Sequence, residues 1–212
     1  YYLYDSPTTV TAGEYANFPI QGYHVHEFEE QDRKIIQNDW EIVRDFIREL
    51  HQSLTDPTIG YPMISKLREK MMYMDTAPKY PNPPRFRLKR HVVTAIAQKH
   101  LGVNFKILEK QNQFSSYAEL DRMLHQFTTK YKDKSVEQIA KENGIEIVRN
   151  ENGKVNKRIN EQILTLAFGI KTGKLRNIDT FAKLGIIPKT LTLTTEGGRT
   201  EDTKFDTIDF KE

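Results

Sequence analysis

The stretch DTFAKLGIIPKTLTL, residues 179–193, decides how this chain is read. Asp179 opens a short helical turn, Leu184-Gly185 stops it, and an apolar strand carrying Lys189 follows. Strand alternation sends Ile187 and Lys189 to one face. A carboxylate two residues before the lysine would complete a metal-binding pair, and Ile187 cannot supply one. Pro188 between them removes a ladder donor and suits a central strand poorly.

Metal-dependent phosphodiester chemistry needs two or three carboxylates around Mg²⁺ and usually a lysine near the attacking water. The usual linear form is an Asp followed by Glu-x-Lys on the next strand. This chain contains no Glu-x-Lys; Asp-x-Lys occurs at Asp32, Asp202 and Asp209, the first at a helix start and the others near the chain end.

The chain has 212 residues, enough for one large domain or two small ones with a real core. Hydrophobic residues make up 37% and charged ones 29%, which predicts a well-solvated globular protein. Net charge is +3, but its distribution is uneven: residues 27–56 lean acidic, and 79–110 and 130–176 are basic. Such asymmetry points to a polyanionic partner. With no cysteine, disulfides, thiolate metal sites and cysteine nucleophiles are excluded, in keeping with a reducing cytoplasm. No apolar run approaches the roughly 20 residues a membrane helix needs, so no membrane partner is expected. The opening Tyr-Tyr-Leu-Tyr reads like the middle of a strand, as in a piece of a longer protein.

Alternation predicts strands in YYLYD and in Ile20–Phe28. Ile35, Ile36, Trp40, Val43, Phe46, Ile47 and Leu50 recur at helical spacing and predict a helix over Asp32–Leu50. After the breakers Pro57, Gly60 and Pro62, a second helix is expected over Ser65–Met74. Prolines up to Pro84 exclude helix there, RFRLK reads as a strand, and HVVTAIAQKHLG as a helix ending at Gly102. Residues 108–116 read as a linker. Helices are expected over Tyr117–Phe127, Ser135–Asn143, with a capping box from Ser135 to Gln138, and Asn156–Phe168. Strands are expected over Ile186–Thr194 and Lys204–Phe210, joined by the EGGR turn.

Two clusters stand out. YHVHE places His24 and His26 on one face of a strand, as metal ligands would be, but no third ligand is evident beside the reading as exposed strand histidines. SKLREK and RFRLKR concentrate cations. Either they form a solvated face, or Phe86 anchors a strand whose Arg85, Arg87 and Lys89 contact phosphate.

Taken together, SVEQIAKENGIEI (135–147) and NEQILTLAFGIKTGKLRNIDTFAKLGIIPKTLTL (160–193) resemble the opening of the MutH-type GATC endonucleases. PPRFRLKRHVVTAIAQKHL (83–101) resembles the closing segment of the same fold, and EQDRKIIQNDWEIVRDFI (30–47) the long helix before it. The ending precedes the beginning, an order that tandem copies explain and one copy does not. Such tandem copies are similar to the Sau-type restriction endonucleases cutting at GATC.

The resemblance implies a mixed α/β, restriction-endonuclease-like fold with a central mixed sheet flanked by helices. Residues 1–110 would be the C-terminal part of a first MutH-like domain and 111–212 the N-terminal part of a second. In that second copy, Thr165, Asp179, Ile187 and Lys189 occupy the catalytic positions, so it would be catalytically degenerate and bind an effector GATC duplex. The live Mg²⁺-binding residues would lie upstream of Tyr1. DNA contacts would come from Lys66, Arg85, Arg87, Lys89 and Arg90; the MutH member has a Tyr where Arg87 stands. The implied partner is double-stranded DNA containing GATC, with self-association on it. Rival expectations are a MutH-like mismatch-repair nuclease, a non-catalytic DNA-binding module with AKENG as a helix-turn-helix turn, and an interaction protein with a solvated basic face.

Overall fold

The computed structural model describes residues 2–4, 19–79, 82–149, 158–171 and 173–187, with a few isolated positions besides. It is mixed α/β. Strands β1 (Tyr2–Tyr4) and β2 (Ile20–Tyr23) form one antiparallel pair, and β3 (Met74–Lys79) and β4 (Asn82–Leu88) another. The helices are α1 (Glu30–Ser53), α2 (Arg90–His100), α3 (Tyr117–Tyr131), α4 (Val136–Glu142), α5 (Arg158–Leu166) and α6 (Asp179–Leu184). The central mixed sheet expected from the sequence is not formed by the described residues: both pairs are two-stranded and antiparallel. Ile186 and Ile187 lie outside any strand, while residues 188–194 and 204–210, where further strands are expected, fall outside the described residues.

Helix α1 is the spine. Its buried positions are Asp32, Ile35, Asp39, Val43 and Leu50, a helical stripe that includes two carboxylates. Trp40, expected on that stripe, is 48% exposed and lies under the Arg44 guanidinium, 4.9 Å from the ring centre. Asp39 takes the inward place instead. Its carboxylate accepts from the backbone amides of Met72 (2.7 Å), Tyr73 (2.7 Å) and Met74 (2.8 Å), which are thus satisfied inside the core. Burial pushes the Asp39 carboxyl above its ordinary value, against the pull of those three amides.

Between α1 and β3 the chain winds as a 3-10 segment, Pro57–Glu69, rather than as the helix expected over 65–74. Asp56 caps its start by accepting from the Thr58 amide at 3.0 Å. Gly60 lets it lie against α1, since a Cβ there would stand 2.5 Å from a Leu50 methyl carbon. Val43, Ile64, Leu67 and Met71 close a small apolar cluster along this contact.

The main core crosses residue 110. Ile35, Tyr73, Val92 and Ile96 pack with Phe114, Leu120, Phe168, Ile178 and Phe181. The 108–116 stretch, expected as a linker, buries Leu108 and Phe114 in this core. Phe114 and Phe168 both meet Phe181, at ring-centre distances of 5.6 and 4.7 Å. A further cluster joins Tyr131, Ile139, Ala140, Ile159 and Ile163 of α3, α4 and α5. Helix α4 carries the expected capping box, in which the Ser135 hydroxyl accepts from the Gln138 amide and the Gln138 side chain accepts from the Ser135 amide. Helix α6 ends as the sequence indicates, with Gly185 in the left-handed region at φ 66°. A side chain at Gly185 would also collide with the His91 ring of α2, 2.6 Å from where a Cβ would stand.

One ion cluster ties α6 to α1. Lys183, 1% exposed, donates to both oxygens of Asp32 (2.8 and 2.7 Å) and pairs with Asp179, one turn earlier, at 2.6 Å. Removing the ammonium strands two buried carboxylates, so Lys183→Ala is expected to cost about 3–5 kcal/mol. Urea unfolding will read this loss, and the combination Asp32→Leu, Asp179→Leu, Lys183→Met is expected to regain most of it.

Candidate nucleic-acid interface

SKLREK and RFRLKR meet at a carboxylate. In the β3–β4 hairpin Asp75 lies directly opposite Arg87, where opposite charges favour pairing. Arg87 donates to Asp75 Oδ2 through Nη2 (2.8 Å) and Nε (3.1 Å). Arg68, near the end of the 3-10 segment, donates through Nε to Asp75 Oδ1 at 2.6 Å. The Thr76 amide also donates to Oδ1, at 2.8 Å. Burial pushes the Asp75 carboxyl up, but Arg87 and Arg68 outweigh it and hold the group below its ordinary value. Asp75 is buried, whereas the arginine side chains are 53% (Arg68) and 65% (Arg87) exposed. The carboxylate is therefore a footing beneath two outward-facing guanidiniums.

The remaining cations of this region differ in their surroundings. Arg85 and Lys66 are exposed, and so is Arg90, the first residue of α2. Lys89 is half-buried, and its ammonium donates to the carbonyls of Arg68 and Met71. Burial lowers its pKa from the ordinary lysine value. Its backbone amide also donates to Tyr73 O at 2.8 Å, so Lys89 fastens the end of β4 to the segment before β3. Phe86, expected as the strand's anchor, is 40% exposed; Leu88 packs against the core in its place. Arg68 and Asp75 were missed by sequence reasoning. The available signal was SKLREK itself, whose Arg68 had no assigned partner.

The described positions of the degenerate catalytic pattern have separate surroundings. Thr165 is buried in α5, its hydroxyl donating to Gln162 O at 2.7 Å. Asp179 is held by Lys183, Ile187 is exposed, and Lys189 lies outside the described residues. Among the described residues no group of three or more His, Asp or Glu side chains is arranged to hold a metal ion. Thr165 and an ammonium-bound Asp179 are an unsuitable donor set for Mg²⁺, and no catalytic step runs through them. The helix-turn-helix expectation is also corrected. Helix α4 runs through the AKE of AKENG, the described residues between Gly144 and Arg158 are non-helical, and α5 starts at Arg158.

Near the ion cluster lies a group of rings that the sequence only half disclosed. β2 ends at Tyr23, so His24 and His26 follow the strand rather than sharing its face. His100 of α2 joins them: it stacks on His24 at 4.9 Å between ring centres, and its Nε2 is 3.2 Å from His26 Nδ1. His26 Nε2 is buried without a hydrogen-bond partner among the described residues. The Tyr73 hydroxyl, close to Asp32 and Thr180, likewise closes no hydrogen bond of ordinary geometry. Burial lowers the His26 pKa, helped by Lys183, His100 and Lys99 and opposed by Asp32. The unfolded chain therefore takes up a proton at His26 at a pH where the folded chain does not. Stability from this group is present above the ordinary histidine value and declines as pH falls below it. Thermal melts between pH 7.5 and 5 are expected to fall less steeply for His26→Phe than for the unsubstituted chain.

No protein-family model matches this sequence, and a search of curated proteins found no match.

Proposed function

We propose that this chain is part of a Mg²⁺-dependent type II restriction endonuclease that recognises and cleaves GATC in double-stranded DNA. Residues 1–110 are, in this reading, the C-terminal part of a first MutH-like, restriction-endonuclease-like domain. Residues 111–212 are the front of a second, catalytically degenerate copy that binds an effector GATC site. The carboxylates that hold Mg²⁺ in the intact enzyme then lie upstream of Tyr1. The observation that carries the reading is the joining of SKLREK and RFRLKR at Asp75, which sets Arg68 of the 3-10 segment beside Arg87 of the β3–β4 hairpin, with Lys89 bracing the two segments. Cations fixed on a rigid element are what duplex recognition requires, with phosphate contacts setting position and base contacts setting sequence.

A second reading, a non-catalytic sequence-specific DNA-binding module, draws on the fate of Asp179. Its carboxylate is neutralised by Lys183 inside the protein, which suits a structural role. Both readings share the duplex as ligand and differ in whether a longer form of the protein cuts.

The test is fluorescence anisotropy with two labelled duplexes, one containing GATC and one GTAC, across a salt series. Affinity is expected to fall with salt in proportion to the phosphates neutralised, and to favour GATC. Arg87→Ala is expected to weaken GATC binding by about 1–3 kcal/mol, and Lys66→Ala to weaken both duplexes alike and flatten the salt slope. Binding that ignores both substitutions would place the interface elsewhere. Equal affinity for the two duplexes would remove GATC specificity and leave a general DNA-binding surface.

A further inference from the structure

Asp75 presents a puzzle for a surface that attracts DNA. A carboxylate in a basic patch cancels one positive charge and weakens the pull on phosphate. Yet it sits where its effect on direction is greatest. It grips Arg87 along the Nε–Nη2 edge, at 3.1 and 2.8 Å, and leaves the Nη1–Nη2 end of the guanidinium facing away. That end carries the parallel pair of N–H donors that fits the O6 and N7 acceptors of guanine. The Thr76 amide at 2.8 Å and Arg68 Nε at 2.6 Å hold the other carboxylate oxygen, so the footing is itself fixed. Arg68 bonds Asp75 through Nε alone, and its two Nη groups remain for a phosphate beside the base. With two guanidiniums to one carboxylate, the trio keeps one positive charge. A phosphate contact tolerates a swinging cation, whereas a base edge demands a fixed one. Losing charge to gain direction therefore fits base reading.

From this geometry we infer that Asp75 is a positioning residue for specificity, holding Arg87 in the orientation that reads a guanine edge while Arg68 takes the adjoining phosphate. The inference rests on the duplex-binding reading above and goes beyond it by naming the discriminating contact.

The experiment compares binding of the full chain to a GATC duplex and to the same duplex with 7-deazaguanine in the GATC site. This analogue lacks the N7 acceptor and keeps the backbone. The unsubstituted chain is expected to bind the analogue about tenfold more weakly, within the range one bidentate base contact supplies. Arg87→Ala is expected to bind both duplexes equally. Asp75→Asn is expected to shrink the tenfold difference to threefold or less, and in the Arg87→Ala background to change the ratio no further. That last arm separates positioning from a general loss of fold, which would act with or without Arg87. Arg68→Ala is expected to weaken both duplexes by the same factor and lower the salt slope.

Three results would overturn the inference. An unchanged deazaguanine penalty in Arg87→Ala, with GATC still preferred over GTAC, would remove it and leave the duplex-binding reading standing. Equal weakening of both duplexes by Asp75→Asn, at an unchanged ratio, would make the trio a phosphate clamp. Failure of the unsubstituted chain to bind duplex DNA would remove both readings together.

Discussion

A single buried ammonium sets the terms for much of this structure. Lys183 stands between Asp32 and Asp179 with almost no access to water. An isolated charge at that depth would be untenable, so α6 is compelled to lie where α1 begins. Once α6 is there, Phe181 reaches Phe114 and Phe168, and Gly185 comes hard against His91. The same α1 that fixes α6 at its first turn fixes the start of β3 two turns later, through Asp39 and three backbone amides. The basic hairpin therefore hangs from a carboxylate on the helix that organises the core. Basic hairpin and core share one support.

Much of this was legible where the cause is local. The capping box at Ser135 and Gln138, the stop at Gly185, the strand at RFRLK and the long α1 all follow from neighbouring residues, and each is found. Where the cause is distant, the sequence misleads. Periodicity placed Trp40 inward because it is apolar, yet Asp39 occupies the buried stripe because amides 33 to 35 residues away need an acceptor. Residues 108–116 look like a linker because they are polar on average; Leu108 and Phe114 alone decide their role. Pro57, Gly60 and Pro62 read as interruptions, but a 3-10 winding accommodates them while Gly60 closes on Leu50.

The candidate site shows the same division. That SKLREK and RFRLKR are basic is plain from composition. That they share one carboxylate is a matter of register, because Asp75 and Arg87 become partners only when β3 and β4 pair as they do. A lone Asp among so many cations is easily passed over as a solubilising charge. Its burial beneath two exposed guanidiniums shows that it anchors both of them. Lys89 makes the converse point: counted with the exposed cations, it works mainly as a brace across two carbonyls.

The distance along the chain between Asp32 and Lys183 has a consequence for biosynthesis. They are 151 residues apart. At about 5–20 residues per second, a ribosome takes on the order of 10 s or more to deliver the lysine after the aspartate. Through that interval α1 can form and Asp39 can find its amides. The start of the helix meanwhile holds a hydrated carboxylate beside apolar side chains whose cover is still being translated. Nascent chains in that window present the unfinished side of the core, where a chaperone that recognises apolar surface would find its substrate.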